Sequence, residues 1–244
     1  MNSKTMEDRQ FQLCHNGAFV FPRLKTDLQA LISELEQLEQ EEIASGEAIV
    51  MESSTRTRYV MRSRLLQEAI HKSGIYACAS ELLGGKAILG SAQLNNVGPS
   101  KPGSEGLKWH VDYPYFAMQN PKLLSTHKNL LAVQVIIALD RFTKKNGATI
   151  YRPVLGGEDR QVLLRVGQSL IMAGNTLHAV PRNETSQNRR AVLLVFHPYW
   201  VRPLSTRTGS LYNILGVTPH DVIPELHPMF DNSTPLFQDL KGFQ

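Results

Sequence analysis

The sequence predicts a mainly β protein with flanking helices and a core of the β-sandwich or jelly-roll class. Helical periodicity is confined to the first third of the chain. Beyond it, short apolar stretches alternate with turns rich in Gly and Asn. A length of 244 residues, 42% of them hydrophobic, is typical of one globular domain with a full core. We therefore expect a single domain, 1–244, with a helical N-terminal support at about 1–85, a jelly-roll core at about 86–203 and a C-terminal cover at 204–244.

The helical part is predicted to follow a short strand at 17–21. Leu residues then recur at helical spacing over 26–44, behind Thr26 or Asp27 as the capping residue. The end of this helix is acidic and opposes the helix dipole, so we expect it to be frayed and solvated. A second helix is predicted at 63–83, where a Gly-Gly pair ends it.

The core is predicted from apolar runs bounded by turn residues. The predicted strands lie at 87–95, 130–139, 148–154, 161–166, 169–172, 177–181 and 191–196. The loop at 96–108 is rich in Gly, Pro, Ser and Lys and is a candidate lid. An Asn-Gly pair indicates a hairpin turn at 143–147. The Pro-rich tail after 203 is expected to cover the barrel or to form a flap at its mouth.

Charge and composition exclude several classes of partner. The net charge of +4 is small, and the 26 Lys and Arg residues are scattered, so we expect no nucleic-acid partner. No stretch approaches the ~20 apolar residues of a membrane span, and the N-terminus has no apolar signal core. Cys14 and Cys78 form no metal or disulfide framework, which favours two free thiols and a cytoplasmic location. The sequence leaves the oligomeric state open.

The candidate site begins at Trp109-His110-Val111-Asp112-Tyr113. On an extended strand, His110 and Asp112 point to the same side and can act as neighbouring metal ligands. A third ligand must come from elsewhere, and His178 lies on a second predicted strand that follows a turn. Two His and one carboxylate on one face of an octahedral ion form the facial triad of non-haem Fe(II) oxygenases. An H-x-D tripeptide alone is weak evidence, and the downstream sequence is what strengthens it.

A cation follows at the start of the last predicted strand. An Arg there has the planar fork that a dicarboxylate co-substrate needs. Two residues compete for this role, Arg189 and Arg190. Period two places them on opposite faces of the strand, but both faces are apolar, so alternation does not choose between them.

Several further residues are weaker candidates. Gln134 shares a strand face with small neighbours and is either a cofactor ligand or a core Gln bonded to the backbone. Gln93 and Asn95 share a face of the strand that enters the candidate lid and can also face the cofactor. Aromatic residues just after the metal strand either wall a substrate pocket or pack in the core. They are Tyr113, Tyr115 and Phe116.

Together these pieces resemble the phytanoyl-CoA dioxygenase-like branch of the Fe(II)/2-oxoglutarate oxygenases. The resemblance is carried by Trp109-His110-Val111-Asp112, by Ala138-Leu139-Asp140 with Lys145-Asn146-Gly147, by 167–178, by Asn183 with Ser186 and Arg189, and by 199–203. The interval of eleven residues from His178 matches this branch and favours Arg189 over Arg190. The Pro-Gly-Ser-His turn of many members is altered here to Tyr151-Arg152-Pro153-Val154.

The resemblance implies a double-stranded β-helix (a cupin-like jelly-roll) and an oxidoreductase. It implies Fe(II) held by His110, Asp112 and His178, with 2-oxoglutarate and O2 as co-substrates and Arg189 on the far carboxylate. It implies hydroxylation, desaturation or a related oxidation of a small molecule, in specialised metabolite biosynthesis, with release of succinate and CO2. Halogenating relatives have Gly or Ala in place of the carboxylate, so Asp112 argues against halogenation.

Two alternatives remain from the sequence. One is a catalytically silent jelly-roll that binds a ligand and has lost the chemistry. The other is a zinc hydrolase that uses the same three ligands, which would need a general base nearby and would have no use for Arg189.

Overall fold

Two antiparallel sheets form the body of the protein. The structure, a computed structural model, describes residues 5–101, 107–112, 130–201 and 211–230. Within these residues the larger sheet has the strand order β1-β8-β5-β10-β4-β3-β2, and the smaller has the order β7-β6-β9. The strands are β1 (Ala18–Phe21), β2 (Ile49–Met51), β3 (Ser54–Thr57), β4 (Ala87–Val97), β5 (Val133–Ala138), β6 (Ile150–Tyr151), β7 (Arg160–Gln161), β8 (Ser169–Ala173), β9 (His178–Ala179) and β10 (Arg189–Pro198). The predicted jelly-roll class is confirmed.

The helices cover one face of the larger sheet, and two of them, the first and the last, were not predicted. They are α1 (Met6–Asn16), α2 (Leu28–Ser45), α3 (Arg64–Lys72), α4 (Ile75–Leu82) and α5 (Leu211–Ile214). The first predicted element was the strand at 17–21, whereas α1 precedes it. A capping box begins this helix. The Thr5 hydroxyl accepts from the Asp8 amide, and the Asp8 carboxylate accepts from the Thr5 amide. Gly17 ends α1 in the left-handed conformation.

Two carboxylates at the acidic end of α2 are buried and the helix continues in order to Ser45, so the prediction of a frayed and solvated end is wrong for these residues, whereas Glu36 and Glu41 are exposed. Glu42 is 2% exposed and accepts hydrogen bonds from the amides of Arg58 and Tyr59, both at 2.8 Å. Glu39 is 3% exposed and accepts from the Asn96 amide group at 3.1 Å. These carboxylates fasten α2 to the chain around β3 and to β4, which a reading of one helix in isolation could not show.

Burial raises the pKa of Glu39. Because the folded state then holds the proton more tightly than the unfolded chain, this group's contribution to stability falls as pH rises above the ordinary Glu value. The Glu39→Gln variant removes the charge and offers an amide donor to Asn96 Oδ1, which lacks a partner among the described residues. We expect it to be more stable at pH 7 by about 1 kcal/mol, measured by chemical unfolding, and its advantage to shrink towards pH 4. Glu41→Gln, on the exposed side of α2, is the control; equal stability of the Glu39 variant and wild type at pH 7 would contradict the expectation.

The second predicted helix is two helices. The break falls at Ser73 and Gly74, where Gly74 adopts φ 74° and starts α4 in a new direction. A left-handed residue cannot continue an α-helix, so the helix breaks there. The apolar periodicity continues on both sides of the break, which is why it predicted a single helix.

The predicted Asn-Gly hairpin at 143–147 is also wrong, because the strands on either side of it lie in different sheets. Asn146 instead pairs with Asn183, and its side chain accepts from the Thr143 amide at 2.8 Å. Gly147 has φ 76°, and a Cβ there would lie 2.7 Å from the Pro181 carbonyl oxygen. This turn therefore carries the chain across from β5 to β6.

Two cores lie on opposite faces of the larger sheet. Alternate residues of β10, such as Val192, Leu194 and Phe196, belong to the core under the helices. The residues between them, such as Ala191 and Leu193, face the smaller core between the two sheets. We call this second side the interior face. It is the side on which the candidate site lies.

The C-terminal residues that the structure describes pack into the helix-side core. Leu226, Met229 and Phe230 are buried there. The buried Gln67 side chain of α3 holds the segment through the Asp221 carbonyl and the Ile223 amide, both at 2.8 Å. Among the helices described here, none is long and apolar enough to cross a membrane.

Candidate metal and co-substrate site

His110 and His178 face each other across a two-residue antiparallel bridge. The His110 amide donates to the His178 carbonyl at 2.9 Å, and the His178 amide donates to the His110 carbonyl at 3.0 Å. This pairing places the two rings side by side, with their centroids 4.3 Å apart. Residues 68 positions apart in the sequence are thus held as neighbours by backbone hydrogen bonds.

Asp112 completes the cluster. One carboxylate oxygen lies 3.7 Å from His110 Nε2, and the other lies 3.8 Å from His178 Nε2. One donor atom from each residue lies within 4.8 Å of the others. The structure therefore brings together the three residues that the sequence predicted as metal ligands. Their role as ligands stays a prediction.

Backbone carbonyls fix which ring nitrogen of each histidine is free. His110 Nδ1 lies 3.0 Å from the Lys108 carbonyl oxygen, and His178 Nδ1 lies 2.9 Å from the Thr176 carbonyl oxygen. Because a carbonyl can only accept, both rings carry their proton on Nδ1 and present the Nε2 lone pair towards Asp112. Such outer hydrogen bonds orient the histidine ligands of metal sites.

The protonation states suit a divalent cation. Burial lowers the pKa of His178, which keeps the ring neutral and able to coordinate. Asp112 Oδ2 is buried without a hydrogen-bond donor among the described residues. A buried carboxylate oxygen without a donor calls for a cation. Two imidazoles and one carboxylate are the donor set of the Fe(II) facial triad, so the residues present fit that metal.

The structure separates the two arginines that sequence alternation left equivalent. Arg190 lies on the helix side, where Asp140 and Glu36 pair with it and its hydrogen bonds to Asp140 raise its pKa. Arg189 lies on the interior face and is 3% exposed. Its guanidinium stacks 4.5 Å from the centre of the Phe142 ring. Burial lowers the pKa of Arg189 to about 10.

Arg189 therefore has an unusual environment. Its Nε–H is buried without an acceptor among the residues described, and no ion pair involves it there. Burying a guanidinium that has no anion is costly, and proteins retain such a group where a ligand supplies the anion. Phe142, which the sequence analysis did not single out, forms the floor of this site; a lone Phe after a strand gives no signal in the sequence.

The candidate amides also face the interior. Asn95 stands opposite Ala191 and Gln93 stands opposite Leu193, so both share the face of Arg189. Gln134 stands opposite Val195, nearer the end at which β8 leads to His178. Asn95 Oδ1 and Gln134 Oε1 are buried, and neither has a donor within the described part of the chain. Gln134 thus does not bond the backbone through its oxygen, which favours a ligand; its role stays a prediction.

The predicted substrate wall lies outside the described residues. Tyr113, Tyr115 and Phe116 all fall in 113–129.

Part of the candidate lid, residues 98–101, is held by hydrogen bonds: the Ser100 amide donates to the Asn183 carbonyl at 2.8 Å. Residues 102–106 are not described. A contact that the sequence did not reveal joins Arg152 to Trp109, the residue before His110: the guanidinium lies 5.0 Å from the centre of the Trp109 ring. Residues 107–112 form no strand, and His110 is held by its isolated bridge to His178 instead.

Several solved structures share this fold. The epimerase SnoN, in complex with Fe3+, alpha-ketoglutarate and nogalamycin RO, aligns with a TM-score of 0.60 and 17% identity, over 80% of this chain and 84% of SnoN. The carbocyclase SnoK from nogalamycin biosynthesis aligns with a TM-score of 0.62 and 14% identity, over 82% and 88% of the two chains. The non-heme monooxygenase ThoJ, in a Ni complex, aligns with a TM-score of 0.59 and 19% identity, over 82% and 79%. At these identities the likeness establishes the fold.

Sequence comparison establishes the family. A curated relative, the methylphosphonate hydroxylase of Gimesia maris, is 26% identical over 163 residues. That match covers 58% of this chain and 58% of the relative's length. Residues 13–154, more than half of this chain, match the phytanoyl-CoA dioxygenase family itself. The chain therefore belongs to the phytanoyl-CoA dioxygenase family, as its sequence predicted.

Proposed function

We propose that this protein is an Fe(II)/2-oxoglutarate-dependent dioxygenase that hydroxylates a small molecule and releases succinate and CO2. The observation that carries the proposal is Arg189, a buried guanidinium without a carboxylate partner among the described residues. It lies on the interior face of the larger sheet, and His178 faces the same core from the smaller sheet because it pairs with Tyr151, a residue of that core. A dicarboxylate that chelates the metal at one end and meets Arg189 at the other would satisfy both orphaned groups.

Each residue has a defined part in this proposal. His110, Asp112 and His178 would hold Fe(II), which supplies the activation of O2 when bound. Arg189 would bind the far carboxylate of 2-oxoglutarate in its planar fork, and Phe142 supports the guanidinium from below. The apolar interior face around Ala138, Leu170 and Ala191 would exclude water from the co-substrate.

The same arginine distinguishes this proposal from its alternatives. A zinc hydrolase would need a general base and would gain nothing from a buried guanidinium. A silent binding fold would have no reason to keep two imidazoles and a carboxylate oriented on one point. The arrangement supports the oxygenase over both.

The reactions of the relatives differ from one another. The relative from Gimesia maris is a hydroxylase, whereas SnoN is an epimerase and SnoK a carbocyclase. Asp112 occupies the position that halogenation requires to be open, which argues against halogenation. Among the other oxidations we propose C–H hydroxylation, in line with the hydroxylase relative, with desaturation as the second candidate outcome. The small net charge of +4 and the scattered basic residues favour a small molecule over a nucleic acid. A cytoplasmic location and a place in specialised metabolism belong to the same proposal.

An anaerobic titration tests the function without a known substrate. Apo-protein would receive Fe(II) and then 2-oxoglutarate, and the weak visible band of the Fe(II)–2-oxoglutarate chelate would be followed. We expect a saturable band at one equivalent of iron, and slow succinate release once air is admitted. Zn(II) in place of Fe(II) is the control and should give no band. Folded, iron-loaded protein that shows neither band nor succinate would exclude the oxygenase.

A further inference from the structure

We propose that Asp140 is a positioning residue for the 2-oxoglutarate site: its carboxylate holds the start of β10 so that Arg189 points to the interior face. This inference rests on the proposed function, because it assigns to Arg189 a dicarboxylate ligand. Asp140 does not face the ligand itself and acts through the residue next to Arg189.

Four hydrogen bonds join Arg190 to the adjacent residues Leu139 and Asp140. Asp140 Oδ2 accepts from the Arg190 backbone amide at 2.7 Å and from Arg190 Nε at 2.9 Å. Its other oxygen, Oδ1, accepts from Arg190 Nη2 at 2.8 Å. The Arg190 carbonyl in turn accepts from the Leu139 amide at 3.1 Å. Both backbone polar groups of Arg190 are thus fixed by the two residues that follow β5.

The Asp140 carboxylate provides a hydrogen-bond acceptor at a position where the pairing between β5 and β10 has ended. Residue pairing between β10 and β5 begins with Ala191 opposite Ala138, and beyond that pair the strands no longer match. The Asp140 side chain continues the ladder by one position, as an acceptor for the Arg190 amide. On the other edge of β10, pairing with β4 continues through Arg190 opposite Asn96 and Arg189 opposite Val97. The Arg190 amide belongs to the peptide group joining residues 189 and 190, so Asp140 fixes the second edge of the peptide group that orients the Arg189 side chain.

Asp140 also pairs with Arg190 and leaves Arg189 unpaired among the described residues. Both of its oxygens are engaged by Arg190, and Glu36 binds the outer side of the same guanidinium. Arg189 therefore feels the negative charge of Asp140 without forming an ion pair with it, and its fork stays available. An Asp140 that paired with Arg189 would instead compete with a dicarboxylate.

The test compares three variants in the anaerobic Fe(II) titration. We expect Asp140→Ala to raise the 2-oxoglutarate concentration at half saturation by about 10-fold or more, with Fe(II) binding in the absence of 2-oxoglutarate unchanged. Asp140→Asn keeps an acceptor for the Arg190 amide and should stay within about 3-fold of wild type. Glu36→Gln, which alters the exposed outer partner, should match wild type. A purely structural role would lower the unfolding midpoint of Asp140→Ala but leave the 2-oxoglutarate requirement of the folded protein unchanged, and that result would overturn the proposal.

A second measurement does not depend on the cofactor. In protein labelled with 15N-arginine, the Nε–H signal of Arg189, assigned by its loss in Arg189→Lys, should exchange slowly with solvent because the group is buried. We expect fast exchange in Asp140→Ala and slow exchange in Asp140→Asn. A wild type without a chelate band would defeat the proposed function, while slow exchange in Asp140→Ala would defeat the positioning role on its own.

Discussion

The His178→Ala variant should lose the Fe(II)–2-oxoglutarate band and all 2-oxoglutarate turnover. His178 is the most buried of the three candidate ligands, and its ring is fixed by the Thr176 carbonyl and by the backbone bridge to His110. Changes to groups that merely support a metal ligand already cost about 10- to 100-fold in affinity, so loss of the ligand itself should cost about 100-fold or more. Calorimetric titration with Fe(II) under nitrogen measures this directly.

A matched histidine gives the control for this variant. His71 lies at the exposed end of α3 and should be replaceable by alanine without change in metal binding. Retention of tight Fe(II) binding by the His178 variant would remove this residue from the ligand set. It would also leave His110 and Asp112 as an ordinary surface pair.

The Arg189→Met variant should bind 2-oxoglutarate about 100- to 4,000-fold more weakly, since the loss of one partner from a buried ion pair costs about 3–5 kcal/mol. Arg189→Lys should recover part of the affinity, because it keeps the charge but loses the fork. The chelate band and its half-saturation point provide the measurement. Arg165→Ala, a change at an exposed arginine, is the control and should behave as wild type.

The same Arg189→Met variant should be more stable than wild type when no ligand is present. The guanidinium is buried without an acceptor for Nε among the described residues, and a Met of similar volume carries no such penalty. Contact with Phe142 offsets part of the cost in the wild type. We expect the unfolding midpoint of the variant to rise without 2-oxoglutarate and to be insensitive to it. A variant less stable than wild type would indicate that Arg189 has a structural partner.

The sequence alone determined the features that depend on local periodicity and side-chain chemistry. Period two on an extended chain aligned His110 with Asp112, and the apolar runs of the core marked most of the strands of the larger sheet. Two imidazoles and a carboxylate already specify a class of metal. The family resemblance rested on these same local pieces, and the match to residues 13–154 confirms it.

The tertiary structure decided which side chains are buried and which partners they meet, because this depends on the layer that packs against each face of a helix or sheet. Both faces of β10 are apolar, so strand alternation could not choose between Arg189 and Arg190, and only the family interval from His178 favoured Arg189. The physical difference between them arises because helices pack on one side and the smaller sheet on the other. Glu39 looked solvated because burial of a helix end is set by the chain packed against it. The Asn-Gly turn at 143–147 looked like a hairpin because sequence does not reveal that its flanking strands pair in different sheets. In each case the deciding contact joins residues far apart in the chain, and no local pattern contains it.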